Sequence, residues 1–71
     1  MLSEIQKLVE KNGKAPFVLA GEDGNAFAIM GRVKRGLQKA NWSHEDTNQV
    51  LTEMRAGDYD HLLQTALTVQ E

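Results

Sequence analysis

The most regular pattern of apolar residues lies in the middle of the chain. Apolar side chains recur there at helical spacing, at Ala26, Ile29, Met30, Val33, Leu37 and Ala40. Asn25, just before the pattern, is a favourable N-cap residue, with Asp23 as the alternative. The pattern therefore predicts a helix over residues 26–40, ended by Asn41.

Three shorter patterns predict further helices. Residues 4–11 follow Ser3, which has capping-box spacing to Gln6, and Asn12-Gly13 stops this helix. Residues 44–56 follow the cap Ser43, and residues 59–68 follow the cap Asp58. With Gly57 between them, the last two helices form a tight corner or hairpin.

Residues 16–20, with the sequence PFVLA, predict a short strand at about 17–20 because an apolar run enters through proline and leaves through Gly21. A lone strand leaves its backbone hydrogen bonds unpaired. Its partner is either the C-terminal stretch 65–69 or the same strand of a second copy, which would make a dimer.

The predicted fold is one mainly α domain over residues 1–71, with α+β as the variant if the strand is paired. The helices and the strand surround a predicted core of Phe27, Met30, Val33, Leu37, Leu51, Met54, Leu62 and Leu63.

Composition adds two expectations. A chain of 71 residues buries a modest core, and without cysteine it has neither disulfides nor thiolate metal sites. Oligomerisation, as a dimer, is the aid to stability that we expect. The chain shows no signal-peptide pattern and no run of about 20 apolar residues, so we expect a cytoplasmic protein without a membrane segment.

Charge is divided unevenly along the chain. Residues 1–42 hold seven basic and four acidic side chains, or +3, whereas residues 43–71 hold one basic and six acidic, or −5. This asymmetry fits self-complementary association or an anionic partner on one half, and it equally fits ordinary solvated faces.

The outward face of the predicted helix 26–40 is basic. At 100° per residue, Arg32, Arg35 and Lys39 fall opposite the apolar stripe, and Ala28 and Gly31 lie between or beside them. Glycine inside a helix costs about 1 kcal/mol relative to alanine. Either another molecule approaches the backbone closely at Ala28 and Gly31, or Gly31 packs against the predicted strand.

The start of the same helix offers a second candidate site. Free amides at a helix N-terminus attract anions, so Gly24 and Asn25 with the following arginines could hold a phosphate or a nucleotide. Glu22 and Asp23 in the same loop oppose this, and the glycine spacing fits neither a P-loop nor a dinucleotide fingerprint.

The cluster from Asp58 to His61 is the densest group of polar side chains. Asp60 beside His61 suggests acid–base chemistry, but no serine, cysteine or second histidine stands at a recognisable spacing. We therefore predict no enzymatic activity, no metal site and no cofactor. Nucleic-acid binding is disfavoured by the few aromatic residues and by the acidic second half.

Residues 21–31 (GEDGNAFAIMG) and 57–64 (GDYDHLLQ) resemble two signatures of a family of very small proteins found in bacteriophages and bacterial mobile elements. The resemblance covers about residues 16–67 and carries no catalytic residue. It implies a phage accessory protein that binds a host protein, and the two signature segments would form one surface. The alternatives, in order, are a homo-oligomer that sequesters a phosphorylated small molecule and a nucleic-acid binder.

Overall fold

The structure, a computed structural model, describes residues 2–19 and 25–71. Four helices make up most of the described chain, which is mainly α as predicted: α1 (Leu2–Asn12), α2 (Ala26–Lys39), α3 (His44–Arg55) and α4 (Tyr59–Val69). The predicted helix ends agree with these bounds to within two residues. Helix α4 packs against α1, α3 and α2, and α3 also packs against α1 and α2.

Side-chain caps fix the starts of α2, α3 and α4 at the predicted residues. Asn25 accepts hydrogen bonds from the amides of Phe27 and Ala28, Ser43 from Asp46, and Asp58 from His61. The prediction of Ser3 as the first cap is wrong, because Leu2 and Ser3 already lie within α1. Gly13 ends α1 with a φ of 85°, a backbone angle that glycine adopts without strain.

The predicted strand at 17–20 is not a strand in the part that the structure describes, and Ala20 lies outside that part. Residues 13–19 instead form an extended connection that meets the chain's last residues at one point, a parallel bridge between Ala15 and Gln70. The Ala15 amide donates to the Val69 carbonyl at 2.8 Å, and the Glu71 amide donates to the Ala15 carbonyl at 2.9 Å. The C-terminal stretch is thus a helix to Val69, and it leaves only its final residues free to pair.

The core lies where the inner faces of the four helices meet. Its fully buried large apolar side chains come from α2, α3 and α4 and are Ile29, Val33, Leu37, Val50, Met54 and Val69. The placement of Phe27 in the core is wrong, since this ring is 84% exposed. Met30 and Leu63 are only partly buried, at the edge of the core.

Trp42 joins the α2–α3 connection to the end of α1. Its ring is 5% exposed, and its indole Nε1 donates a 3.1 Å hydrogen bond to the Gly13 carbonyl. Asn41 just before it has a φ of 67°, in the left-handed region that asparagine tolerates. The tryptophan that the sequence places in a loop is therefore a core residue.

Candidate functional site

The outward face of α2 is basic, as the helical wheel predicts. Arg32, Arg35 and Lys39 are exposed, and the helix contains no acidic residue. In the described part of the chain, no ion pair involves Arg35 or Lys39. Arg35 and Lys39 are therefore not neutralised by the described part of their own chain.

The basic residues line a recess between α2 and the extended connection. The recess has a volume of about 200 Å³ and is bordered by Pro16, Phe17, Val18, Arg32, Arg35, Gly36 and Lys39. Val18 is 61% exposed at its rim, and Arg32 Nη1 lies 3.5 Å from the Val18 carbonyl oxygen. The recess thus combines an apolar wall with a cationic wall. We call it the basic recess.

The two glycines of α2 differ in how closely neighbouring residues approach them. A Cβ placed on Gly36 would lie 2.7 Å from Cδ1 of Phe17, so Gly36 is the residue that lets the connection approach the helix. A Cβ on Gly31 would meet, among the described residues, only Arg35 Nη1 at 4.0 Å. Among the described residues 17–19 of the predicted strand, none meets Gly31, and Ala20 lies outside the described part. Ala28, one turn before Gly31, is partly buried.

The start of α2 has few free amide donors for an anion. Oδ1 of Asn25 accepts from the Phe27 amide at 2.9 Å and from the Ala28 amide at 3.3 Å. Those two donors, which a phosphate would need, are already satisfied within the chain. Gly24, the other residue predicted for this site, lies outside the described residues, as do Glu22 and Asp23.

The second polar cluster, residues 58–61, contributes no residue to the basic recess. His61 Nε2 lies 2.7 Å from Glu53 Oε2 and so links α4 to α3, while the Asp58 side chain caps α4 and Asp60 is exposed. Gly57 permits this arrangement, since a Cβ there would lie 2.9 Å from Cβ and Cγ of His61. Neither Asp60 nor His61 lines the basic recess.

The two signature segments do meet at another place. A recess of about 410 Å³ lies between the start of α2 and the α3–α4 corner, and its walls are Ala26, Met54, Arg55, Gly57, Asp58, Tyr59 and Leu62. Ala26 belongs to the first signature, and Gly57, Asp58, Tyr59 and Leu62 belong to the second. We call this the corner recess.

A buried polar cluster ties α1 to α3. Asp46, which is 4% exposed, accepts hydrogen bonds from Asn12 Nδ2 at 3.0 Å and lies 3.1 Å from Lys11 Nζ. The hydrogen bonds from Asn12 and Lys11 lower the pKa of Asp46 below its ordinary value, against the opposing effect of burial. The cluster therefore links the end of α1 to the first turn of α3.

Sequence reasoning did not identify Gly36, Phe17 or Glu53 as residues that shape these surfaces. Gly36 lies in a helix that already contains one unexplained glycine, and a second one was a usable signal for close packing. Glu53 and His61 belong to different predicted helices, so only the angle of the corner brings them together.

Two features are absent from the described residues: a metal-binding cluster and a membrane-spanning helix. No group of three or more His, Asp or Glu side chains lies close enough to hold a metal ion in residues 2–19 and 25–71. Over the same residues, each helix falls short of the length and apolar character that crossing a bilayer requires.

Comparisons with known proteins give no match: no protein-family profile, no curated protein and no solved structure is significantly similar to this chain. The resemblance to small phage proteins stays a prediction from the two signature segments.

Proposed function

We propose that this chain is a non-enzymatic, phage-type accessory protein that binds an acidic surface of a host protein through the outward face of α2 and the basic recess. The observation that carries the proposal is a helix with four cations and no anion, beside exposed apolar residues of the connection. The phage context comes from the resemblance alone.

The charge of α2 supports an acidic partner. Arg35 and Lys39 lie one turn apart along the face, and Arg32 lies one turn before Arg35. Complementary charges raise association rates and select against wrong partners. Arginine is also enriched among the residues that dominate binding energy at protein interfaces.

The shape of the face supports a protein rather than a small anion. Small residues at Ala28 and Gly31 let a partner's backbone or side chain approach α2 closely. The exposed Val18 offers apolar contact next to the cations. A mixture of apolar area and arginine is typical of protein interfaces, whereas a phosphate site requires free amides that Asn25 already occupies at the α2 start.

Nucleic acid fits less well because the rest of the surface would repel it. Residues 43–71 carry a net charge of −5, and the first turns of α3 and α4 hold the exposed Glu45 and Asp60. A phosphate backbone spans a wide footprint, so it would meet these carboxylates as well as the basic face.

A capture experiment with charge-reversal variants tests the proposal. Tagged wild-type protein, the double variant Arg35→Glu/Lys39→Glu and the control Lys34→Glu are incubated with lysate of the host bacterium, and bound proteins are quantified by mass spectrometry. Lys34 lies on the same helix, away from the basic recess. We expect one or a few proteins to bind wild type and the control, and to fall at least about tenfold with the double variant.

Circular dichroism of each variant verifies that the helices are intact. Equal capture by wild type and the double variant would refute the proposal. Retention of wild type on duplex DNA that falls steeply as salt rises, with no protein captured, would replace it with nucleic-acid binding.

A further inference from the structure

A third recess lies where α2 passes into α3, and every side chain that borders it carries a nitrogen or oxygen atom. It has a volume of about 240 Å³ and is bordered by Gln38, Asn41, Trp42, His44 and Thr47. His44 and Thr47 stand three residues apart at the start of α3 and therefore lie on one side of that helix. We call this the polar recess.

The polar recess is built on a fixed part of the fold. The Asn41 amide donates to the Gln38 carbonyl at 3.1 Å and the Trp42 amide donates to the Leu37 carbonyl at 3.0 Å, which closes α2 with Asn41 in the left-handed region. Trp42 is itself held by its hydrogen bond to the Gly13 carbonyl. A site whose residues are already positioned loses less entropy when it binds a ligand.

Thr47 carries a buried hydroxyl group that no described residue satisfies. The residue is 2% exposed, and its Oγ1 makes no hydrogen bond within the described part of the chain. Thr65 and Thr68 of α4 instead donate to the carbonyls four residues earlier, both at 2.8 Å. A buried hydroxyl without a partner destabilises a fold, so its presence points to a use other than packing. Because Thr47 lines the polar recess, a molecule bound there supplies a partner.

Three exposed side chains at the polar recess are also uncommitted. Within residues 2–19 and 25–71, the side chains of Gln38, Asn41 and His44 make no hydrogen bond and no ion pair. Two carboxamides, an imidazole and a hydroxyl offer both donors and acceptors. Among the described residues, no Lys, Arg, Asp or Glu borders the recess, so no full charge there would balance a charged ligand. This chemistry favours an uncharged ligand that has donors and acceptors of its own.

We infer that the polar recess binds an uncharged nucleobase, as the free base or as its nucleoside. A carboxamide such as that of Gln38 or Asn41 forms two coplanar hydrogen bonds with a donor and an acceptor that are neighbours on the edge of a base. The Thr47 hydroxyl and the His44 imidazole meet further polar atoms of the ring. A volume of about 240 Å³ lies below the roughly 300–1,000 Å³ of pockets for drug-sized ligands, which suits a single base.

This inference goes beyond the proposed function and does not rest on it. The polar recess and the basic recess have no lining residue in common. The double variant Arg35→Glu/Lys39→Glu should therefore lose protein capture and keep nucleoside binding, so that failure of either idea is recognised separately.

A titration followed by ¹H–¹⁵N NMR provides the first test. Adenosine, guanosine, cytidine, uridine and their 5′-monophosphates are each added to ¹⁵N-labelled protein, with ribose as the control probe. We expect at least one nucleoside to shift the side-chain amide signals of Gln38 and Asn41 and the indole signal of Trp42 until saturation, and ribose to shift none of them. The inference is overturned if no nucleoside binds, if ribose binds as tightly, or if the monophosphate binds more tightly than its nucleoside.

Two variants and a control locate the binding. Gln38→Ala and Asn41→Gly each remove a carboxamide, and glycine readily keeps the φ of 67° that Asn41 adopts. Each variant should raise the Kd of the nucleoside about fivefold, the loss of one hydrogen bond. Gln64→Ala, at an exposed position of α4, should leave the Kd unchanged. Unchanged affinity in both Gln38→Ala and Asn41→Gly overturns the inference.

Thr47→Val tests the buried hydroxyl by two readouts of opposite sign. Valine has a similar volume and lacks the hydroxyl group. If that group serves a ligand, the free variant should melt at a higher temperature than wild type, while the Kd of the nucleoside rises about fivefold. A lower melting temperature with unchanged nucleoside affinity would show that the hydroxyl serves the fold, and it would overturn the role assigned to Thr47.

Discussion

Gly36 and Phe17 are in such close contact that a methyl group on Gly36 would lie 2.7 Å from Cδ1 and 3.0 Å from Cβ of the Phe17 side chain. Phe17 belongs to the extended connection, and Gly36 belongs to α2. Their contact sets how deeply the connection lies against the helix, and thereby the shape of the basic recess.

Gly36→Ala is therefore expected to destabilise the fold despite alanine's better helix propensity. Overpacking of this kind costs about 1–3 kcal/mol, more than the about 1 kcal/mol that the propensity gives back. Urea denaturation monitored by Trp42 fluorescence measures the change. The matched control is Gly31→Ala, where the added methyl meets, among the described residues, only Arg35 Nη1 at 4.0 Å and should stabilise by about 0.5–1 kcal/mol. Equal effects at the two positions would contradict the packing described for them.

Asp46→Asn should make the free energy of unfolding less dependent on pH in the acidic range. The folded pKa of Asp46 lies below the unfolded value near 3.8, so the carboxylate stabilises the fold above that pH. This contribution is lost as the pH falls through the folded pKa. At pH 7 the variant should be about 1.5 kcal/mol less stable. This value is at the low end of the range for hydrogen bonds to charged groups, because Lys11 is exposed.

The difference between wild type and Asp46→Asn should narrow once the pH falls below about 4. Thermal unfolding at several pH values between 2 and 7 gives the comparison, with Glu10→Gln as a control at an exposed position of α1. A gap that is the same at pH 7 and at pH 2 would contradict the role assigned to the carboxylate.

Asn25→Ala separates helix capping from partner binding. Removing the cap should lower stability by about 1 kcal/mol, because the Phe27 and Ala28 amides lose their acceptor. Capture of the host partner, measured where both proteins are fully folded, should be unchanged. If capture fails while circular dichroism shows an intact fold, Asn25 itself contacts the bound molecule. Binding at the start of α2, which the small-molecule alternative requires, would then be favoured.

The helices follow from local patterns, which is why the sequence predicts them well. Asn25, Ser43 and Asp58 act on amides two or three residues away, and the apolar stripes need only a neighbouring surface. The prediction that Phe27 lies in the core is wrong for an informative reason. Its position on the wheel is at the edge of the stripe, where the placement of other helices decides whether a ring is buried.

The failures away from the helices have a common cause in long-range geometry. An apolar run such as residues 16–20 has strand propensity, yet the C-terminal helix extends to Val69 and offers one pairing position. Likewise, which glycine of α2 meets the connection depends on where the connection crosses the helix. The basic face could be predicted because the charges and their helical spacing can be read from the sequence. The basic recess could not be predicted, because its shape depends on where the connection crosses α2.

The tie between the connection and the chain's last residues has a consequence for how the protein folds. Gln70 Nε2 donates to the Phe17 carbonyl across 53 positions of sequence, beside the Ala15 bridge. Closing a loop of that length costs about 3.5 kcal/mol in chain entropy, which a few hydrogen bonds do not offset on their own. We therefore expect the tie to form late in folding, after α1 and α4 have docked, and to couple the opening of α1 to that of α4.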